Sequence, residues 1–117
     1  MNCRTAVFPE SSVFLITGGA GFIGSNLCEA ILSMGHRVRV LDNLSTGYAE
    51  NIAGFRSNPK FEFIEGDIRD ADICNHVCDS VDYVLHHAAA VSVPESIEKP
   101  VDYTRTNIMG TVNMMEA

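Results

Sequence analysis

"LITGGAGFIG", Leu15 to Gly24, places four glycines in ten positions directly after an apolar run. Glycine loses more backbone entropy on folding than any other residue, so this concentration needs a physical reason. The run ahead of it, Val13 to Thr17 ("VFLIT"), is short, apolar and rich in β-branched residues, the pattern of a strand buried on both faces. Behind it, Phe22, Ile23, Leu27, Ile31 and Met34 recur at helical spacing, and Gly35 stands where a C-cap would. The glycines therefore occupy a strand-to-helix turn. There the first helical N–H groups lack partners, the helix dipole is positive, and a bare backbone lets a pyrophosphate come close. A side chain on Gly21 would fill the space the pyrophosphate needs, and one on Gly24 would hold the helix off the strand. Two registers fit: Gly19-x-Gly21-x-x-Gly24, the general dinucleotide fingerprint, and Gly18-x-x-Gly21-x-x-Gly24 after Thr17.

The flanking sequence gives this turn its context. "RVRVLD" (Arg37 to Asp42) alternates as a second strand and ends on a carboxylate. An acidic residue there accepts from both hydroxyls of an adenosine ribose and repels a 2′-phosphate. Neither Asn43 nor Leu44 is a base that would welcome that phosphate, so the pattern favours NAD over NADP. After the polar loop "NLSTGYAEN" comes a weak helical stretch. "FEFIE" (Phe61 to Glu65) is a third strand closed by Gly66 and Asp67, Asp70 to Ser80 a helix, and "DYVLH" (Asp82 to His86) a fourth strand. "AAAVSVPESIEK" reads as a loop, and Pro100 opens a last helix over Val101 to Ala117. Alternating strands and helices at this spacing predict an α/β fold, a doubly wound parallel sheet of the NAD(P)-binding Rossmann type. Residues 13–117 read as one such domain or part of one, which the family resemblance given below makes its amino-terminal part, and residues 1–12 as an extension.

Length and composition bound the function. A chain of 117 residues supports one domain, and its 46% hydrophobic and 20% charged content is that of an ordinary globular protein. A net charge of −7 with scattered bases argues against nucleic acid or an anionic membrane as the main partner. No apolar stretch approaches the roughly 20 residues of a membrane span. "MNCRTAVFPESS" lacks the apolar centre of a secretory signal, so a cytoplasmic location is expected. Cys3, Cys28, Cys74 and Cys78 then form no disulfide framework. Cys74 and Cys78 share a helix face from which His76 points away, and no second ligand pair follows, which argues against zinc. His86 and His87 point to opposite faces of a strand and do not converge on a metal; core packing is the expectation for His86.

Taken together, "TGGAGFIGSNL", "LDNLSTG", "GDIRD", "HHAAAVSVPESIEKP" and "TNIMGTVNMMEA" resemble the extended short-chain dehydrogenase/reductase family. The similarity is strongest to its NAD-dependent sugar-nucleotide epimerases and dehydratases of the UDP-glucose 4-epimerase-like kind, and runs from Val13 to Ala117. It implies that Gly18, Gly21, Phe22, Ile23 and Gly24 lie against the NAD pyrophosphate. Asp42, Asn43, Leu44, Ser45, Thr46 and Gly47 would surround the adenosine ribose and its phosphate. Asp67 would accept from the adenine amino group, with Ile68 against the ring; alternatively Asp67 caps the turn before the next helix. His87, Ala88, Ala89 and Ala90 would line the cofactor, and Asn107 would steady them from the last helix. Ser92 resembles a substrate-loop position or is a plain exposed serine. Val91 departs from the lysine that many UDP-galactose epimerases carry there.

The resemblance also implies chemistry that needs a tyrosine with a lysine four residues on, to take a proton from a nucleotide-sugar hydroxyl while hydride passes to and from NAD through a keto-sugar. Four residues after Tyr48, Tyr83 and Tyr103 stand Ile52, His87 and Asn107. The expectation is therefore the cofactor half of such an enzyme, inactive alone and self-associating through the fourth strand and last helix. The alternative is a free-standing, non-catalytic NAD-binding or regulatory module.

Overall fold

In a computed structural model that describes residues 8–117, four strands form one all-parallel sheet in the order β3-β2-β1-β4. They are β1 (Val13–Thr17), β2 (Arg37–Asp42), β3 (Phe61–Glu65) and β4 (Tyr83–His86). Between them run the helices α1 (Phe22–Ser33), α2 (Glu50–Ala53) and α3 (Ala71–Cys78). After β4 come α4 (Val93–Glu98), α5 (Pro100–Thr104), a π-helical turn at Arg105–Met109, and α6 (Gly110–Glu116).

The alternation along β1 separates two cores. Phe14 and Ile16 point to one face, where they meet Val38, Val40 and, from α1, Cys28 and Ile31. Leu15 points to the other, toward Leu41, Ile68, Met114 of α6 and the Cys74 and Val77 of α3. Helices thus cover both faces of a parallel sheet whose central strand has no polar side. Phe8, inside the segment read as an extension, packs edge-on against Phe14 and Tyr83 with ring centroids 5.1 and 5.0 Å away. Cys28, Cys74 and Cys78 are free thiols, and Cys3 lies outside the described residues. Among the described residues no helix is long and apolar enough to cross a membrane, and no cluster of ligands could hold a metal ion.

Four local expectations change. The helical stripe of α1 is not wholly a core stripe: Phe22, Ile23 and Met34 are 83%, 59% and 57% exposed, and its buried positions are Gly24, Cys28 and Ile31. The loop after β4 contains α4, capped by Ser92, whose hydroxyl accepts from the Glu95 N–H. The last helix is continuous but widens into a π turn before Gly110, which packs directly on Ile68. His86 is no core filler; it is half-buried and bonded through both ring nitrogens.

Candidate functional site

All four strands point their carboxyl ends at one cleft of about 710 Å³, the place where open α/β sheets bind ligands. The phosphate-turn candidates form its base. Gly18 has φ +71°, and a Cβ there would come within 2.9 Å of the Ala88 nitrogen and the His87 carbonyl, so only glycine fits. A Cβ on Gly24 would run into the Gly18 oxygen and come 2.6 Å from the Gly19 Cα, because α1 crosses β1 at that point. Gly21 differs. Its backbone is extended (φ −75°, ψ 175°), and a Cβ would meet only the Gly18 oxygen at 3.3 Å. Packing alone does not demand glycine there. Gly21 is also the N-cap of α1 and offers no side-chain cap. Among the described residues, the N–H groups of Phe22, Ile23 and Gly24 find no acceptor; the first bond of the helix is Ser25 N–H to the Gly21 carbonyl, 2.9 Å. Three bare donors and a positive dipole end face the cleft.

Asp42 closes the next wall. Its carboxylate is nearly buried and accepts from the Ala20 N–H (2.9 Å) through Oδ2 and from the Leu44 N–H (2.8 Å) through Oδ1. It therefore ties β2 to the glycine turn and forces Leu44 into the left-handed region (φ +59°). Asn43 Oδ1 in turn accepts from the Ser45 N–H, 3.0 Å. Gly47 lies against Ala20, so this loop folds back over the turn.

The β3 exit carries Asp67. Both oxygens of its carboxylate are held by the Arg69 guanidinium, at 2.8 to 3.1 Å, and Oδ2 also accepts from Asn43 Nδ2 at 3.2 Å. Oδ1 accepts from the Arg69 N–H at 2.9 Å, so Asp67 does cap its own turn, while Asp70 caps α3. Burial pushes the Asp67 carboxyl up, but the bonds from Arg69 and Asn43 outweigh it and hold the group below its ordinary 3.8. Behind the site the thiols are inert: burial pushes Cys28 up to about 12 and Cys74 to about 11.

The fourth wall follows β4. Asn107, on the π turn, grips both backbone groups of Ala90: its Oδ1 accepts from the N–H at 2.8 Å and its Nδ2 donates to the carbonyl at 2.9 Å. Of the eighteen residues singled out in the sequence, fifteen line the cleft, while Leu44, Asp67 and Asn107 stand behind it. The lining also includes Tyr103 and five residues that the sequence reading passed over: Arg69, Glu95, Lys99, Asp102 and Thr106. All but Arg69, which lies in the turn between β3 and α3, come from α4, α5 and the residues beside them. The signal was present in Ser92-Val93-Pro94-Glu95, a capping-box pattern with proline inside the first turn. Here the Tyr103 hydroxyl completes the box, accepting from the Ser92 N–H at 3.0 Å and donating to Glu95 Oε2 at 3.3 Å.

Comparison with known proteins agrees with this geometry. The family model described as GDP-mannose 4,6 dehydratase matches residues 15–117. The UDP-glucose 4-epimerase of Mycolicibacterium smegmatis is 42% identical over 104 residues, covering 88% of this chain and 33% of that protein. The UDP-glucose 4-epimerase of Brucella ovis, solved in complex with NAD, superposes with a TM-score of 0.78 at 34% identity, over 90% of this chain and 31% of its own. The dTDP-glucose 4,6-dehydratase of Streptomyces venezuelae, solved with NAD bound, gives 0.81 at 36% identity, over 89% and 34%. The chain spans about a third of the length of these relatives. With four parallel strands in that order and a match across nearly all of its length, the chain belongs to the NAD-dependent sugar-nucleotide epimerase and dehydratase family.

Proposed function

We propose that this chain is the NAD-binding portion of a cytoplasmic nucleotide-sugar epimerase or dehydratase. The observation that carries the reading is the amino end of α1, with three unpartnered N–H groups beside a Gly21 whose missing side chain the packing does not require. A pyrophosphate supplies acceptors for those donors and fills that space. Asp42, which closes the neighbouring wall with both carboxylate oxygens already fixed by backbone, is rigid enough to grip ribose hydroxyls and too negative for a 2′-phosphate. Asp67 and Ile68 are assigned to the adenine, and the stretch from His87 to Ala90 to the rest of the dinucleotide. When bound, NAD supplies the hydride acceptor and donor of the family's chemistry. This chain's own residues bind and orient it.

Titration calorimetry tests the assignment: NAD binds, NADP binds at least about tenfold more weakly because one buried-edge charge repulsion is worth on the order of 1 kcal/mol or more, and Asp42→Ala loses the preference. Equal binding of the two cofactors, or none, overturns it. A second reading, an NAD-binding module without chemistry, is favoured by one feature: no tyrosine here has a lysine four residues later. The coding DNA past Ala117 separates the two: a frame that continues into a tyrosine with a lysine four residues on favours the enzyme portion, and a stop codon there favours the module.

A further inference from the structure

The floor of the cleft rests on a histidine that is not part of its lining. The geometry points to His86 as the positioning residue of this site: as a neutral imidazole protonated at Nε2, it aims the Thr17 hydroxyl so that the His87–Ala88 backbone is held against the glycine turn, and dinucleotide affinity falls when the ring takes a second proton. This rests on the dinucleotide reading above and extends it to a residue outside the cleft.

The hydrogen bonds assign the tautomer. Thr17 is fully buried, and its Oγ1 accepts from the His87 N–H at 3.0 Å and the Ala88 N–H at 3.1 Å. Both lone pairs are then taken, so its own hydrogen goes to His86 Nδ1, 2.6 Å away. Nδ1 is therefore the acceptor. On the other side Thr111 Oγ1 donates to the Asn107 carbonyl at 2.7 Å and so accepts from His86 Nε2 at 3.1 Å. Every hydrogen in the chain has one place to go, and His86 stays uncharged in it.

A proton on Nδ1 breaks this order, because two hydrogens would lie between Nδ1 and Oγ1. The Thr17 oxygen would then accept from the ring and must release an amide. His87 N–H has a second acceptor in the Thr17 carbonyl at 3.0 Å, so Ala88 is the one released. The Ala88 nitrogen, with the His87 carbonyl, also stands 2.9 Å from where a Gly18 side chain would be. Losing its anchor therefore reshapes the wall beside the phosphate turn. The groups bonded to the ring are Thr17 from β1 and Thr111 from α6, neither of which titrates, and the titratable neighbour acting on it is His87, the next residue in the chain. Burial first, and then the His87 charge, hold the His86 imidazole below its ordinary 6.5.

Two measurements test this on the full chain. In long-range ¹H–¹⁵N spectra, His86 is expected as the Nε2–H tautomer near neutral pH, with the Ala88 amide shifting at the midpoint of the ring. An Nδ1–H tautomer, or an Ala88 amide indifferent to the ring's titration, overturns the inference. In NAD calorimetry across pH, affinity is expected to fall by up to about tenfold for each pH unit below the His86 pKa. His86→Asn, which keeps an acceptor near the Nδ1 position but takes no proton, should lose that slope, and His87→Asn should keep it. A slope that follows His87 instead overturns the proposal. Absence of NAD binding at every pH counts against the dinucleotide reading, and the Ala88 titration still decides whether His86 holds the turn.

Discussion

At the scale of single residues, neighbouring glycines of one motif answer to different forces. Gly24 is needed by the fold: an added methyl group would collide with backbone of Gly18 and Gly19 that has nowhere to move. Gly24→Ala should cost about 3 kcal/mol, the upper end of overpacking penalties, read as a lowered urea midpoint. Gly21→Ala should leave that midpoint nearly unchanged, because its backbone is one any residue adopts, yet weaken NAD by about a hundredfold, or some 2–3 kcal/mol. Equal loss of stability in both variants would refute the distinction. Asp67 offers a test of charge. Its folded pKa lies below 3.8, so its contribution to stability is complete above the unfolded value and is lost as pH falls through the folded one. Arg69→Gln removes the principal lowering partner, so the Asp67 carboxyl should titrate at higher pH in ¹³C NMR and acid unfolding should begin earlier. An unmoved Asp67 titration would show that Asn43 alone suffices.

At the scale of elements, β4 is one of the two edge strands of the sheet, with β3 at the other side. It pairs with β1 on one side, and Tyr83 and Val84 are 37% and 43% exposed. Across the last helical segments Val101, Ile108, Met109, Val112 and Met115 also face outward. An unpaired strand edge beside apolar helix surface favours association, so the sedimentation coefficient of the chain should rise with concentration. Val84→Lys places a charge on that edge and should reduce the rise; a wild-type chain that stays monomeric at high concentration would count against the edge. The elements also differ in how far they could be read in advance. The strands were legible because an apolar run between Gly, Asn and Asp admits few alternatives, and β1 and β3 fall where those runs predict. α4 was not, because Val93-Pro94 reads as punctuation unless the Ser92 and Glu95 pairing is weighed with it. His86 was misread because burial and hydrogen bonding by two threonines, twenty-five and sixty-nine residues away, are tertiary facts.

At the scale of the whole molecule, the cleft is present while no tyrosine of the 117 residues has a lysine four positions on. The cleft is built from the glycine turn, the Asp42 carboxylate and the residues after β4, all at strand ends. It has no tyrosine–lysine pair: Tyr103, the tyrosine in the cleft, spends its hydroxyl on Ser92 and Glu95. Lys99, the lysine of the cleft, is itself paired with Glu95 at 3.7 Å. General-base catalysis typically contributes on the order of 10²–10⁴-fold, so a chain without it should bind NAD and turn over no measurable UDP-glucose. The check is a coupled assay of the 117-residue chain, preloaded with NAD, against a heat-killed control. Turnover that disappears in Tyr103→Phe would assign the missing base to Tyr103 and overturn the separation of binding from chemistry. Binding without turnover would support it, and would locate the proton-transfer machinery outside these residues.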